Sequence, residues 1–380
     1  MLAVLLIFAF ITNPEANNVG EPLIWYFYGH PAILVFFICL LAFVLMLITN
    51  QLTIDSVVIM LALRIVTCLI PLFYISESQS FSSHYPIVIL TVIAYLLGRR
   101  KKRYTEHETK AILAVLIFFG CILCFQVFWT FTLIGVPFFD LSYKLYMNIP
   151  IALSNVIASY IVPILCCIIP IKNKTIIKIV LITVFFAALI LTKSRGGIVT
   201  FLITYIFYKL FIKHKFRAIT AFGVLIILAF SILFLFSIPE VQLFFMGNSD
   251  TMAANSLSSG RLEIFGREFS RGLDHPLFGN GMIFNDKTSV DGAHNLLIEL
   301  FVQSGIVGLL LYLIPMFAVF RKARKNINNP SIASLYVLTI AIFINGFVEV
   351  NFFNWGIDFI FWFVCGVLMN LSSFKIPNEQ

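Results

Sequence analysis

Apolar residues fall in long runs broken only by short polar or basic punctuation, almost from one end of the chain to the other. A spanning helix needs ~20 mostly apolar residues to cross ~30 Å of hydrocarbon, and by that rule the runs predict about twelve helices. They lie near residues 1–12, 32–49, 56–75, 85–98, 111–136, 148–170, 176–192, 198–212, 218–238, 295–320, 331–350 and 355–371. The first, fourth and eighth are short. Residues 1–12 have neither the basic start nor the small-x-small site of a cleaved leader, so they read as a short first span. The expected fold is an all-α polytopic membrane protein.

Composition points the same way. Apolar residues make up 60% of the chain and charged residues only 12%, which is a poor match to a soluble globular core. All seven cysteines lie inside apolar runs, and neither the Cys166-Cys167 pair nor the Cys121-x-x-Cys124 spacing has a His or Cys companion in a loop. They read as packed small residues rather than metal or redox sites.

The formal charge of +8 reports orientation once its distribution is followed along the chain. With both termini placed in the cytoplasm, Arg99 to Arg103 and Lys110 share one inner loop, and Lys172, Lys174 and Lys178 share the next. Lys209, Lys213, Lys215 and Arg217 occupy a third, Arg321, Lys322, Arg324 and Lys325 a fourth, and Lys375 follows the last span. This agrees with the positive-inside rule. Basic residues spaced between spans do not form the single basic face that nucleic-acid binding needs, so no nucleic-acid partner is expected.

Seven basic residues fall on the outer side: Lys144, Lys193, Arg195, Arg261, Arg267, Arg271 and Lys287. Topology does not need them. Most lie in or beside residues 192–197 and 239–293, and the second segment is the one long hydrophilic stretch, far beyond the ~2–8 residues that usually join bundled helices. Within it Leu262, Phe265, Phe269 and Leu273 recur at near-helical spacing, with Arg267 and Arg271 at i,i+4 on the other side. That pattern predicts an amphipathic helix on the outer membrane surface, capped by Ser258 or Ser259 and ended by Gly272 with Pro276. The organisation expected is N-terminal helices over 1–175, a motif-bearing region over 176–320 that includes the outer loop 239–293, and C-terminal helices over 321–380.

Candidate chemistry gathers at that outer side. Arg195 lies in Thr192-Lys193-Ser194-Arg195-Gly196-Gly197, where the glycines would let backbone approach a ligand and the guanidinium fork suits phosphate oxygens. A snorkelling arginine at a helix end is the bland alternative. Arg261 follows Ser258-Ser259-Gly260 at an expected helix N-terminus, a place that favours anions, and Arg267 and Arg271 follow it. His294 enters the tenth span beside Asn295 and could take a proton from a sugar hydroxyl, although a helix-capping histidine is the commoner case. His275 to Gly281, His-Pro-Leu-Phe-Gly-Asn-Gly, reads as a shaped turn.

Arg64, Glu299, Glu349 and Asp358 fall at or near membrane depth, where a charge costs at least ~2.5–3.5 kcal/mol and usually has a role or a partner. Glu299 is placed to orient His294, and Glu349 joins the candidate substrate-binding residues at the outer end. Arg64 could pair with any of the three acids. The chain has no P-loop, no His-x-x-x-His pair and no Asp-x-Asp motif, so no metal, cofactor or nucleotide is expected.

Taken in order, Thr192-Lys193-Ser194-Arg195-Gly196-Gly197, Ser259-Gly260-Arg261, His275-Pro276-Leu277-Phe278-Gly279-x-Gly281, His294-Asn295 and Ser304-Gly305-x-x-Gly308 resemble the O-antigen ligase and polymerase superfamily of bacterial envelope biosynthesis. The resemblance covers residues 176–320. One departure is Ile264 then Phe265, where many members carry an aromatic a few residues after the Ser-Gly-Arg arginine.

The resemblance implies metal-independent glycosyl transfer from an undecaprenyl-diphosphate-linked glycan to a sugar hydroxyl at the periplasmic face of the bacterial inner membrane. It implies that Arg195 and Arg261 hold the donor diphosphate and that His294 activates the acceptor. Expected partners are the lipid-linked donor and acceptor, membrane lipids, a chain-length regulator and a flippase. An O-antigen polymerase is the first reading and a ligase acting on lipid A core the second. A flippase for lipid-linked oligosaccharides is the alternative of another class, but no internal repeat of the kind many secondary transporters carry is visible.

Overall fold

In the computed structural model, which describes residues 1–11, 31–74, 85–135, 137–140, 143–171, 175–212, 261–281, 293–349 and 354–373, nearly every apolar run is a helix. The N-terminal helices are α1 (Leu2–Phe10), α2 (Pro31–Ile48), α3 (Ser56–Leu69), α4 (Tyr85–Gly98) and α5 (Glu106–Leu133). A short α6 (Tyr143–Tyr146), α7 (Ser154–Ile168), α8 (Thr175–Leu191) and α9 (Arg195–Phe207) follow. Then come α10 (Arg261–Gly272), α11 (Leu296–Ala323), α12 (Pro330–Asn345) and α13 (Trp355–Ser372).

Among the described residues six helical stretches are long and apolar enough to cross a membrane, and four shorter ones are apolar. The expected span at 218–238 lies outside the described residues, as do Ser258 and Ser259, Lys287 and several of the inner-loop lysines. The first expected span is shorter than a crossing requires. With nine residues α1 rises only about 14 Å. It is instead tied to α5 by a hydrogen bond from Gln126 Nε2 to the Ala9 carbonyl (2.7 Å).

Three boundaries differ from the hydropathic runs, each for a local reason. α5 starts five residues early because Thr105 and Glu108 form a reciprocal capping box that carries a polar turn into the helix. α7 starts late because Pro150 disfavours helical backbone at Ile149, and Asn148–Ile149 pairs antiparallel with Ala152–Leu153 in a two-rung hairpin. α9 starts at Arg195, because Ser194 Oγ accepts from the Gly197 N–H and caps it.

Small residues set the closest helix contacts. α4 and α13 cross where Gly98 meets the backbone of Phe363 and Val367 and Gly366 meets that of Tyr95 and Arg99, leaving no space for a Cβ on either. α3 packs on α11, and α12 packs on both α7 and α9. At one end of the bundle Asp55 accepts from Tyr95 Oη (2.9 Å) and Arg99 Nε (3.1 Å), while Arg99 Nη2 and Lys322 Nζ both donate to Ser373 Oγ (3.0 and 3.2 Å). The loops carrying Arg99 and Lys322 thus meet at one end.

Deeper in the bundle Arg64 is 2% exposed, with its guanidinium carbon 4.6 Å from the centre of the Tyr312 ring. Asp358, also 2% exposed, and Arg64 both lie within electrostatic reach of the Tyr312 hydroxyl. Asp358 is therefore the acid whose surroundings Arg64 shares.

Candidate active site

At the end away from Asp55, the polar residues are brought in by helix termini. Asn295 caps α11, accepting from the N–H groups of Leu297 (3.0 Å) and Ile298 (3.3 Å). His294 is thereby spared the capping role that its position allowed. Its φ is +45°, a left-handed conformation that costs a non-glycine residue about 1–3 kcal/mol and persists only where the surroundings impose it.

Those surroundings come from two directions. The imidazole Nδ1 lies 3.1 Å from Oε1 of Glu349, which is nearly buried while the histidine side chain stays 25% exposed. A carboxylate can only accept, so the neutral ring donates from Nδ1 and keeps the Nε2 lone pair. On the other side the Leu296 N–H donates to the Gly346 carbonyl (2.6 Å) and Asn295 Nδ2 to that of Phe347 (3.2 Å). The start of α11 is thus pinned to the turn after α12.

Glu299 does not meet the imidazole ring. Its carboxylate, 8% exposed, accepts from the Ala293 N–H (2.8 Å) and from Gln303 Nε2. The ring-orienting part expected of Glu299 belongs to Glu349.

The same turn reaches α9. Gly196 faces Val348, where a Cβ would come 3.3 Å from Cγ2, so the helix start that carries Arg195 lies against the residue next to Glu349. Asn345 secures this from below, donating from Nδ2 to Thr200 Oγ1 (3.2 Å) and accepting on Oδ1 from Ser159 Oγ (3.0 Å). The paired glycines therefore make room for protein, not for a ligand: Gly197 is hemmed in by Leu189 and Ala158.

Lys193 is committed to the fold. Its Nζ donates to the Asp140 carbonyl (2.9 Å) and sits 5.1 and 5.2 Å from the Phe138 and Tyr143 ring centres. Burial pushes its pKa down, against the nearby Asp140 carboxylate.

The outer helix forms where the sequence placed it, from Arg261 to Gly272. Glu268 is 4% exposed, whereas Phe269 and Leu273 are half-exposed. Gly272, whose missing Cβ admits the Phe301 ring, lets α10 lie on α11 with Phe269 stacked on Phe301 at 5.6 Å. Arg267 Nε and Arg271 Nη1 flank Glu268 at 3.2 and 3.4 Å, so both arginines have an internal carboxylate beside them. Arg261 opens the helix; its side chain lies outside the described residues.

The shaped turn after α10 docks into a break in α11. Gly305 has φ +62° and ψ −170°, a backbone that essentially only glycine adopts. The Ile306 and Val307 N–H groups donate to the carbonyls of Pro276 (2.9 Å) and Leu277 (3.2 Å). Asn280 and Gly281 N–H in turn donate to Val302 (2.7 Å) and Gln303 (3.0 Å). Four bonds to the turn replace the two that an unbroken helix would make, so the break leaves these backbone groups paired. Tyr74, from the end of α3, holds the turn through the Gly279 carbonyl (2.5 Å) and a ring contact with His275 at 4.6 Å.

Residues 179–313 match the family model described as O-antigen ligase. The match supports the O-antigen ligase and polymerase superfamily for that region. The O-antigen ligase match runs from α8 into α11, so it holds Arg195, Arg261, His294 and the Gly305 break and ends before Glu349. No curated protein matches the chain.

Sequence reasoning missed Glu268, the acid between the two outer arginines. Its only linear signal was a carboxylate one residue from Arg267 and three from Arg271. The docking of the turn on Gly305 left a stronger one, since two glycine motifs that each invite unusual backbone follow one another in the chain.

Proposed function

We propose that this protein transfers a glycan from an undecaprenyl-diphosphate carrier to a sugar hydroxyl at the outer face of the bacterial inner membrane. The observation that carries the reading is the His294–Glu349 pair, 3.1 Å apart beside the Arg195 helix start, at the end of the bundle away from Arg99 and Lys322. A lipid diphosphate is already a good leaving group, so the chemistry needs positioning, charge stabilisation and a base.

In this reading the acceptor hydroxyl oxygen attacks the anomeric carbon of the donor sugar. Its proton passes to His294 Nε2 as the bond from that carbon to the diphosphate oxygen breaks. Glu349 steadies the imidazolium that forms, and the polyprenyl diphosphate leaves with the bonding electron pair. Arg195 and Arg261, at two helix N-termini, meet its growing charge. Arg267 and Arg271 add a positive rim that Glu268 holds in place.

Of the two reactions open to the family, we propose polymerisation, in which both donor and acceptor are lipid-linked repeat units. The chain has one dominant hydrophilic segment, over residues 239–293. Lipopolysaccharide from a deletion strain, run on a gel, tests this. Core carrying one repeat unit is the expected result. Bare core with polymer retained on the carrier would assign a ligase, and bare core with unpolymerised units held inside a flippase.

A further inference from the structure

Glu299 is a buried carboxylate that the proposed chemistry does not use. It sits in the first turn of α11, which Asn295 already caps, so helix initiation does not require it. One of its oxygens takes the Ala293 N–H at 2.8 Å and the other takes Gln303 Nε2. Glu268 and Arg271 of the outer helix lie within electrostatic reach of the same group. Ala293 immediately precedes His294, whose backbone is left-handed.

We propose that Glu299 is a positioning residue for His294: by fixing the Ala293 N–H it sets the left-handed backbone that delivers the imidazole to Glu349. Two carboxylates thus divide the work. Glu349 orients the ring and Glu299 anchors the backbone one residue before it. The catalytic consequence rests on the glycosyl-transfer reading above; the geometric claim does not.

Glutamine and alanine at position 299 separate the possibilities. A glutamine keeps an acceptor for the Ala293 N–H, and its own amide can donate to Gln303 Oε1, an atom buried without a partner in the present arrangement. Glu299→Gln should therefore keep kcat within about threefold of the parent. Glu299→Ala should lower kcat by ~10²-fold with KM little changed, the scale of an ångström-sized misplacement.

The independent readout is the rate at which diethyl pyrocarbonate modifies His294 in the purified full chain, followed by peptide mass spectrometry. That rate should rise several-fold in Glu299→Ala and match the parent in Glu299→Gln. An unchanged rate in the alanine variant, or a glutamine variant as altered as the alanine one, overturns the proposal. If the parent does not lengthen lipid-linked glycans yet shows the expected modification pattern, the positioning stands and the glycosyl-transfer reading falls.

Discussion

Nδ1 of His294 lies 3.1 Å from Oε1 of Glu349, although 55 positions and two helices separate them in the chain. A base whose second nitrogen is held by a carboxylate has a set tautomer and direction. His294→Ala should lower kcat by ~10²–10⁴-fold, the usual contribution of a general base. If the two residues act as a unit, adding Glu349→Ala to that variant should cost little more. Fully additive losses in the double variant would separate their roles.

Neighbours in sequence, Lys193 and Arg195 should respond differently to removal. Lys193→Ala leaves the Asp140 carbonyl without its ammonium donor, and we expect a loss of about 1.5–3 kcal/mol in stability with kcat of the folded fraction retained. Arg195→Ala should keep the protein in the membrane and lower turnover, with Arg195→Lys intermediate because it retains charge without the planar fork. Thermal melts paired with assays on quantified protein decide this. Normal turnover in Arg195→Ala would remove it from the site.

Gly305 should tolerate no side chain. Its φ of +62° strains any L-residue, and a Cβ would lie 2.5 Å from the Phe278 nitrogen. Gly305→Ala should expel the turn over residues 275–281 from the break, seen as faster proteolysis there and a lower Tm. Protease resistance equal to the parent's would show that the turn does not depend on the break.

The crossing of α4 and α13 gives a test of packing remote from the chemistry. Gly98→Val or Gly366→Val places methyl groups on the partner backbone, and overpacking of this kind costs about 1–3 kcal/mol or more. The Tm should drop in both. KM of whatever folds should be unchanged, and a selective change in KM would argue against a purely structural crossing.

Hydropathy made most of the helices legible, because a membrane-crossing segment must satisfy its own backbone and announce itself by length. Arg195, Arg261 and His294 were legible as motif residues at an end that charge counting assigned to the outer face. Glu349 was named among the candidate substrate-binding residues, and Glu299 was given the orienting part that Glu349 plays at the His294 ring. Spacing within one helix suggests which residues share a face. It says nothing of which turn of another helix lies opposite.

The sequence by itself determined the helical membrane character, the order of the helices and the residue types that gather around His294, since these follow from local composition and short-range caps. Only the tertiary structure decided that Glu349 rather than Glu299 meets the His294 ring, that Glu268 stands between Arg267 and Arg271, and that a turn fills the break at Gly305. Those choices depend on how closely small residues such as Gly196 and Gly272 let distant elements approach. That distance is set by packing across the bundle, which no local stretch of chain encodes.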